Sequence, residues 1–82
     1  MKIKILGTGC ARCQQLEKTT KEAVKELGID AEVEKVQDMK KIMEYPILTT
    51  PGLVINEKLV SSGKVPTKAE VTIFITTALS ND

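Results

Sequence analysis

Hydrophobic residues recur with two different spacings in the first half of the chain. Residues 2–6 alternate polar and apolar side chains, which predicts a half-buried β-strand. Apolar positions then return at steps of three and four, which predicts a helix over residues 10–27. Its inward face consists of Cys13, Leu16, Thr20, Ala23, Val24 and Leu27. Gly28 follows this face, and we expect it to end the helix in the left-handed conformation.

The middle of the chain predicts two shorter elements. Weak alternation over residues 31–36 predicts a second strand. Asp38 can cap a short helix that runs through about Tyr45, where a proline follows. One side of this helix carries Met39, Ile42 and Met43. Because an isoleucine shares their side, we interpret the two methionines as core filler and not as a metal-binding pair.

The last third of the chain predicts a hairpin followed by a helix. Apolar residues 53–55 and 59–61 flank a polar turn at residues 56–58, as in an antiparallel pair. Thr67 and Glu70 then fit a capping box, in which each side chain binds the backbone N–H of the other residue. The apolar stripe of this helix consists of Val71, Phe74, Ile75, Ala78 and Leu79.

The length and composition limit the architecture and the function. The chain has 82 residues and a net charge of +1, and we see no linker or repeat, so we expect one domain over residues 1–82 with the order β-α-β-α-β-β-α. A net charge close to zero and an aromatic content of 2% argue against a nucleic-acid partner. No targeting segment or long apolar run is evident, which predicts a cytoplasmic monomer with no membrane partner. The absence of histidine excludes histidine-based catalysis and histidine zinc sites.

The segment Cys10-Ala11-Arg12-Cys13 carries the strongest chemical signal. Its spacing at a helix start brings two sulfur atoms within bonding reach. Cys10 stands at the cap, where free N–H groups and the positive end of the helix favour a thiolate, and Arg12 adds a cation. Cys13 lies on the apolar face. We therefore expect Cys10 to attack a disulfide and Cys13 to resolve the mixed disulfide, with two inert core cysteines as the plain alternative.

These features together resemble the thioredoxin–glutaredoxin superfamily, and most closely its small redox-active disulfide proteins of archaea and bacteria. The resemblance rests on residues 7–13, on residues 50–55 and on residues 61–66. It implies a thioredoxin-like α/β fold, in which helices flank a central mixed four-stranded sheet. It also implies a cis peptide bond before Pro51 and pairing of Thr50 with the backbone of the substrate.

The resemblance also defines the expected partners. It implies a thiol–disulfide oxidoreductase that acts on protein or small-molecule disulfides, receives electrons from an unidentified reductase or thiol donor, and needs no cofactor beyond its own disulfide. Gly9 and Arg12 are assigned with Thr50 and Pro51 to the substrate-binding surface. Gly9 stands where the family usually has tryptophan, and the first strand offers no counterpart to the buried aspartate of thioredoxin.

Two other functions compete with this interpretation. Residues 7–13 also resemble the loop of heavy-metal-associated domains, in which two thiolates carry Cu(I). Those domains end in a strand, whereas this chain ends in a predicted helix, and two ligands fall short of a closed zinc site. A third possibility is an interaction module that docks through the apolar loop at residues 46–48.

Overall fold

The computed structural model describes residues 1–47 and 49–80, so Leu48 of the apolar loop lies outside the described residues, as do residues 81–82. The observed order is the predicted β-α-β-α-β-β-α. The strands are β1 (Lys2–Leu6), β2 (Glu32–Val36), β3 (Gly52–Ile55) and β4 (Lys58–Ser62), and the helices are α1 (Ala11–Leu27), α2 (Met39–Ile42) and α3 (Lys68–Ser80). The predicted second helix is shorter than expected, because it ends at Ile42 and not near Tyr45.

The four strands form one mixed sheet in the order β2-β1-β3-β4, which confirms the predicted fold class. β1 pairs with β2 in parallel and with β3 in antiparallel orientation, and β3 pairs with β4 in antiparallel orientation. β1 ends and β3 begins at the edge of the sheet where α1 starts, since Leu6 pairs with Gly52. That edge carries the residues with candidate chemistry.

Hydrophobic clusters cover both faces of the sheet. The larger cluster joins Ile3 and Ile5 of β1 to α1 and α3, which pack together on one face. The smaller cluster joins Leu6 and Val54 to Ile42 of α2. Because successive side chains of a strand point to opposite faces, this cluster lies on the other side of the sheet. The first strand shows the predicted alternation over residues 2–5, with Ile3 and Ile5 buried, and in addition buries Leu6 on the other face.

The turn of the hairpin and three exposed hydrophobic positions differ from the prediction. Lys58 pairs with Ile55, so the turn consists of Asn56 and Glu57, both with positive φ, and is shorter than the predicted turn at residues 56–58. Met39 and Met43 are 56% and 72% exposed, so their interpretation as core filler is wrong. Leu79 of the α3 stripe is also exposed.

The predicted caps at Gly28, Asp38 and Thr67 are all present, with the Asp38 side chain accepting a hydrogen bond from the Lys40 N–H at 3.0 Å. Gly28 has φ 64°, and its N–H donates to carbonyl groups in the last turn of α1. Before α3, the Thr67 N–H donates to Glu70 Oε1 at 3.0 Å and the Glu70 N–H donates to Thr67 Oγ1 at 3.2 Å. Within residues 1–47 and 49–80, we find no helix with the length and apolar character needed to cross a membrane.

Candidate active site

The two cysteines have opposite environments at the start of α1. Cys10 is the N-cap residue and is exposed, with extended backbone angles. Its Sγ accepts a hydrogen bond from the Cys13 N–H at 3.3 Å, and its carbonyl oxygen accepts the first helical bond from the Gln14 N–H. Cys13 lies one helical turn further on and is 5% exposed. Both residues are free thiols.

The pKa values of the two thiols move in opposite directions. Hydrogen bonds from the Cys13 thiol and from the Cys13 backbone N–H lower the pKa of Cys10. Burial raises the pKa of Cys13, and its hydrogen bond to the Cys10 sulfur raises it further. The pair therefore loses its first proton from Cys10, and the remaining proton on Cys13 stabilises the resulting thiolate.

The Arg12 side chain does not act on Cys10 as the sequence suggested. Its Nη2 donates a hydrogen bond to the Gly63 carbonyl oxygen at 2.7 Å, at the end of β4. The contribution of Arg12 to the lowered pKa of Cys10 comes from its backbone N–H. The pKa of Cys10 is therefore lowered by the Cys13 thiol and by backbone N–H groups at the start of α1, and not by the guanidinium charge as predicted.

The Thr50–Pro51 peptide bond is cis, and Pro51 is fully buried. The segment is joined to β4 because the Gly63 N–H donates to the Pro51 carbonyl oxygen at 2.9 Å. Gly7 brings the segment close to the thiols: a Cβ added there would overlap Cys13 Sγ and lie 3.9 Å from Thr50 Cβ. The structure therefore brings Thr50, Pro51 and both cysteines together at one edge of the sheet.

Gly9 lies directly before Cys10 with φ 93°, a conformation that side chains rarely adopt. Its carbonyl oxygen accepts a hydrogen bond from Gln14 Nε2 at 3.1 Å, which ties the loop to the first turn of α1. An added Cβ would lie only 3.1 Å from Gln37 Nε2. Glycine at this position therefore suits both the positive φ and the close approach of the Gln37 side chain.

A groove of about 570 Å³ lies along α2, between this helix and the segment that precedes Pro51. It is lined by Arg12, Met39, Ile42, Met43, Ile47, Thr49 and Thr50. The exposed methionines form one wall, and the threonines before Pro51 form the other. Sequence reasoning missed this groove and missed the contacts of Gly7 and Gly63. In the sequence, these contacts are indicated only by the presence of glycine directly after β1 and directly after β4.

A second hollow of about 230 Å³ lies behind Cys13. Its polar lining includes Thr8, Gln14, Lys35 and Gln37, and the lining as described has no carboxylate. Among residues 1–47 and 49–80, no group of three or more histidine, cysteine, aspartate or glutamate side chains could hold a metal ion.

Comparison with known proteins agrees with this geometry. A family model described as "Thioredoxin domain" matches residues 1–76, which include both cysteines and the Thr50–Pro51 segment. A thioredoxin of Methanothermobacter thermautotrophicus is 54% identical over 71 residues, which cover 87% of this chain and 92% of the relative. A thioredoxin of Methanocaldococcus jannaschii is 45% identical over 69 residues, which cover 84% of this chain and 79% of the relative.

Proposed function

Because the chain belongs to the thioredoxin-domain family and is a thiol–disulfide oxidoreductase, we propose that it works through a Cys10–Cys13 dithiol–disulfide couple. The observation that carries this proposal is the hydrogen-bonded pair itself: an exposed Cys10 sulfur that accepts the Cys13 N–H, beside a buried Cys13. A low-pKa exposed thiol is a nucleophile and leaving group, whereas a buried thiol of raised pKa stays protonated until it is needed.

The reaction proceeds in two exchange steps. The Cys10 thiolate attacks one sulfur of the substrate disulfide, a mixed disulfide forms, and the other substrate sulfur leaves as a thiolate and takes up a proton. Cys13 then loses its proton and attacks Cys10 Sγ, so that the Cys10–Cys13 disulfide forms and the second substrate thiol is released. Two electrons and two protons pass to the substrate, and a reductase or a thiol donor returns them to the cysteines.

Thr50, Pro51 and Gly9 form the substrate-binding surface in this proposal, and Arg12 borders it with its guanidinium group on the Gly63 carbonyl oxygen. The proximity of Thr50 to Gly7 and Cys13 supports it, because a substrate backbone paired with Thr50 would hold its disulfide next to Cys10. A protein substrate would extend into the methionine-lined groove. Methionine adapts to apolar side chains of different shapes, which suits a surface that receives more than one protein.

The proposal includes no cofactor besides the cysteine pair, and it includes a cytoplasmic monomer whose single domain spans residues 1–82. The cytoplasm is a reducing compartment, in which a cysteine pair serves more readily as a reactive dithiol than as a structural disulfide. The Cu(I) carrier is not favoured, because the family match is to a thioredoxin domain and the last described element is α3. The interaction-module alternative merges with this proposal, since the groove that includes Ile47 is also lined by Arg12 and Thr50.

Reduction of insulin by dithiothreitol tests the proposal, with precipitation of the insulin B chain as the readout. The wild-type protein should accelerate the reaction, whereas Cys10→Ser should abolish the acceleration because the attacking sulfur is gone. Cys13→Ser should stop at the mixed disulfide. Titration of the same sample with Cu(I) separates the alternative: tight binding without any acceleration would overturn the oxidoreductase mechanism in favour of a metal carrier.

A further inference from the structure

Gly63 is hydrogen-bonded through both of its backbone groups to parts of the candidate active site. Its N–H donates to the Pro51 carbonyl oxygen at 2.9 Å, and its carbonyl oxygen accepts from Arg12 Nη2 at 2.7 Å. One residue at the end of β4 therefore connects the segment that carries the cis peptide bond with the helix turn that carries the cysteines. These two parts lie far apart in sequence, with Arg12 and Gly63 separated by 51 positions.

The local conformation of Gly63 makes this connection depend on glycine. Its φ is 79°, and an added Cβ would overlap Thr49 Oγ1. The backbone of Gly63 consequently lies against the residue that precedes Thr50. A displacement of Gly63 would be passed to Thr50 and Pro51 through this packing as well as through the hydrogen bond to Pro51.

We propose that Arg12 is a positioning residue, which holds Gly63 and thereby keeps the Thr50–Pro51 segment at the correct distance from Cys10. This inference rests on the proposed function, because the distance matters only if a substrate pairs with Thr50 while its disulfide meets Cys10. The charge of Arg12 strengthens its hydrogen bond to the Gly63 carbonyl oxygen, because a hydrogen bond from a charged donor is stronger than one from a neutral donor. Its role is therefore distinct from stabilisation of the Cys10 thiolate.

The role of Arg12 should depend on the kind of disulfide that is reduced. A protein substrate needs the Thr50 backbone and the Cys10 sulfur at a fixed separation, and misplacement by about 1 Å can cost on the order of 100-fold in rate. The bond from Gly63 to Pro51 and the burial of Pro51 remain in an Arg12 variant, so the loss should be smaller, about tenfold. A small neutral disulfide has no backbone to pair with Thr50 and should lose much less.

The test compares Arg12→Ala and Arg12→Met with the matched control Lys64→Ala. Lys64 is exposed and adjoins Gly63, so its removal makes the same change in net charge beside the same residue. We expect both Arg12 variants to lower kcat/KM for insulin about tenfold, mainly through a higher KM, while the rate with bis(2-hydroxyethyl) disulfide falls less than about twofold. Lys64→Ala should match the wild type with both disulfides.

Two further measurements distinguish positioning from direct action. The pKa of Cys10, followed by thiolate absorbance, should be the same in Arg12→Ala as in the wild type. The amide signal of Thr50 in the substrate-free protein should shift in Arg12→Ala and not in Lys64→Ala. If Arg12→Ala raised the pKa of Cys10, or lowered the rates with both disulfides equally, Arg12 would act on the thiolate. If the Thr50 amide signal did not move in Arg12→Ala, Arg12 would contact the substrate directly. Either result overturns the inference.

Failure of the proposed function would give a different pattern. In that case the wild-type protein would reduce neither disulfide, or Cys10→Ser would remain active with both. Loss of the Arg12 effect alone, with a fully active wild type that requires Cys10, would overturn only the positioning role.

Discussion

Replacement of Gly7 by alanine should strain the contact that brings the end of β1 against Cys13. The new Cβ would overlap Cys13 Sγ, and it would still lie 3.2 Å from Cys13 Cβ if the thiol rotated away. Overpacking of this kind costs roughly 1–3 kcal/mol, and the loss of unfolded-state entropy in a glycine-to-alanine change returns about 0.4–1 kcal/mol. A net destabilisation of about 1.5 kcal/mol would lower Tm by roughly 6–12 °C in a domain of this size.

The same substitution should impair disulfide formation. Rotation of the Cys13 thiol relieves the overlap, but it also turns the sulfur away from Cys10, with which it is hydrogen-bonded. Gly28→Ala is the matched control, because Gly28 has φ 64° with no heavy atom within 4 Å of an added Cβ. Alanine there should cost about 1–2 kcal/mol through its backbone conformation alone.

Thermal unfolding of the reduced proteins measures the first effect, and the rate of intramolecular disulfide formation with oxidised glutathione measures the second. Gly7→Ala should lose both stability and rate, whereas Gly28→Ala should lose only stability. The reasoning would be refuted if Gly7→Ala formed its disulfide as fast as Gly28→Ala, since the position of Cys13 Sγ would then not depend on the space at Gly7.

Three further predictions concern the thiol pair, the cap of α3 and the groove. Because the pKa of Cys10 is lowered, the rate at which Cys10 attacks a neutral disulfide should be constant from high pH down to that pKa and should fall at lower pH. Cys13→Ala should move this fall to higher pH, because the main hydrogen bond to the Cys10 sulfur is lost. A wild-type rate that rises steadily towards pH 9 would contradict the lowered pKa. Thr67→Ala should cost about 1 kcal/mol in denaturant unfolding because the α3 cap is lost, while Thr67→Ser retains it, and equal midpoints for both would show that the cap contributes nothing. The double change Met39→Ala with Met43→Ala should raise KM for insulin with little loss of stability, since both side chains are exposed, and an unaltered KM would remove the groove from the substrate surface.

Much of the fold could be predicted because its elements follow one-sided hydrophobic patterns. The apolar face of α1 continues from Cys13 to Leu27 and is followed by a glycine, so the sequence predicts both the buried face and the end of the helix. The capping box of α3 involves residues three positions apart and needs no tertiary information. The inward direction of Cys13 followed from the same stripe, which is why the two cysteines could be distinguished from the sequence.

The differences arise where tertiary contacts decide the outcome. In α2, Met39 and Met43 share a side with Ile42, but a helix of four residues has room to bury only Ile42 against β1 and β3. Arg12 has an obvious charge, but the carbonyl group that it binds belongs to Gly63, which local sequence does not reveal. The turn at Asn56 is shorter than predicted because Lys58 continues the ladder of β4.

Trapping of the mixed disulfide tests the central claim most directly. Cys13→Ser and Cys10→Ser are each incubated in reduced form with insulin, and the adducts are identified by mass spectrometry without added reductant. The account predicts a disulfide between Cys10 and insulin in Cys13→Ser, and an adduct at least about tenfold slower to form in Cys10→Ser, because Cys13 is buried and its pKa is raised. Equal adducts from the two variants, or an adduct on Cys13 alone, would contradict the assignment of Cys10 as the attacking thiol.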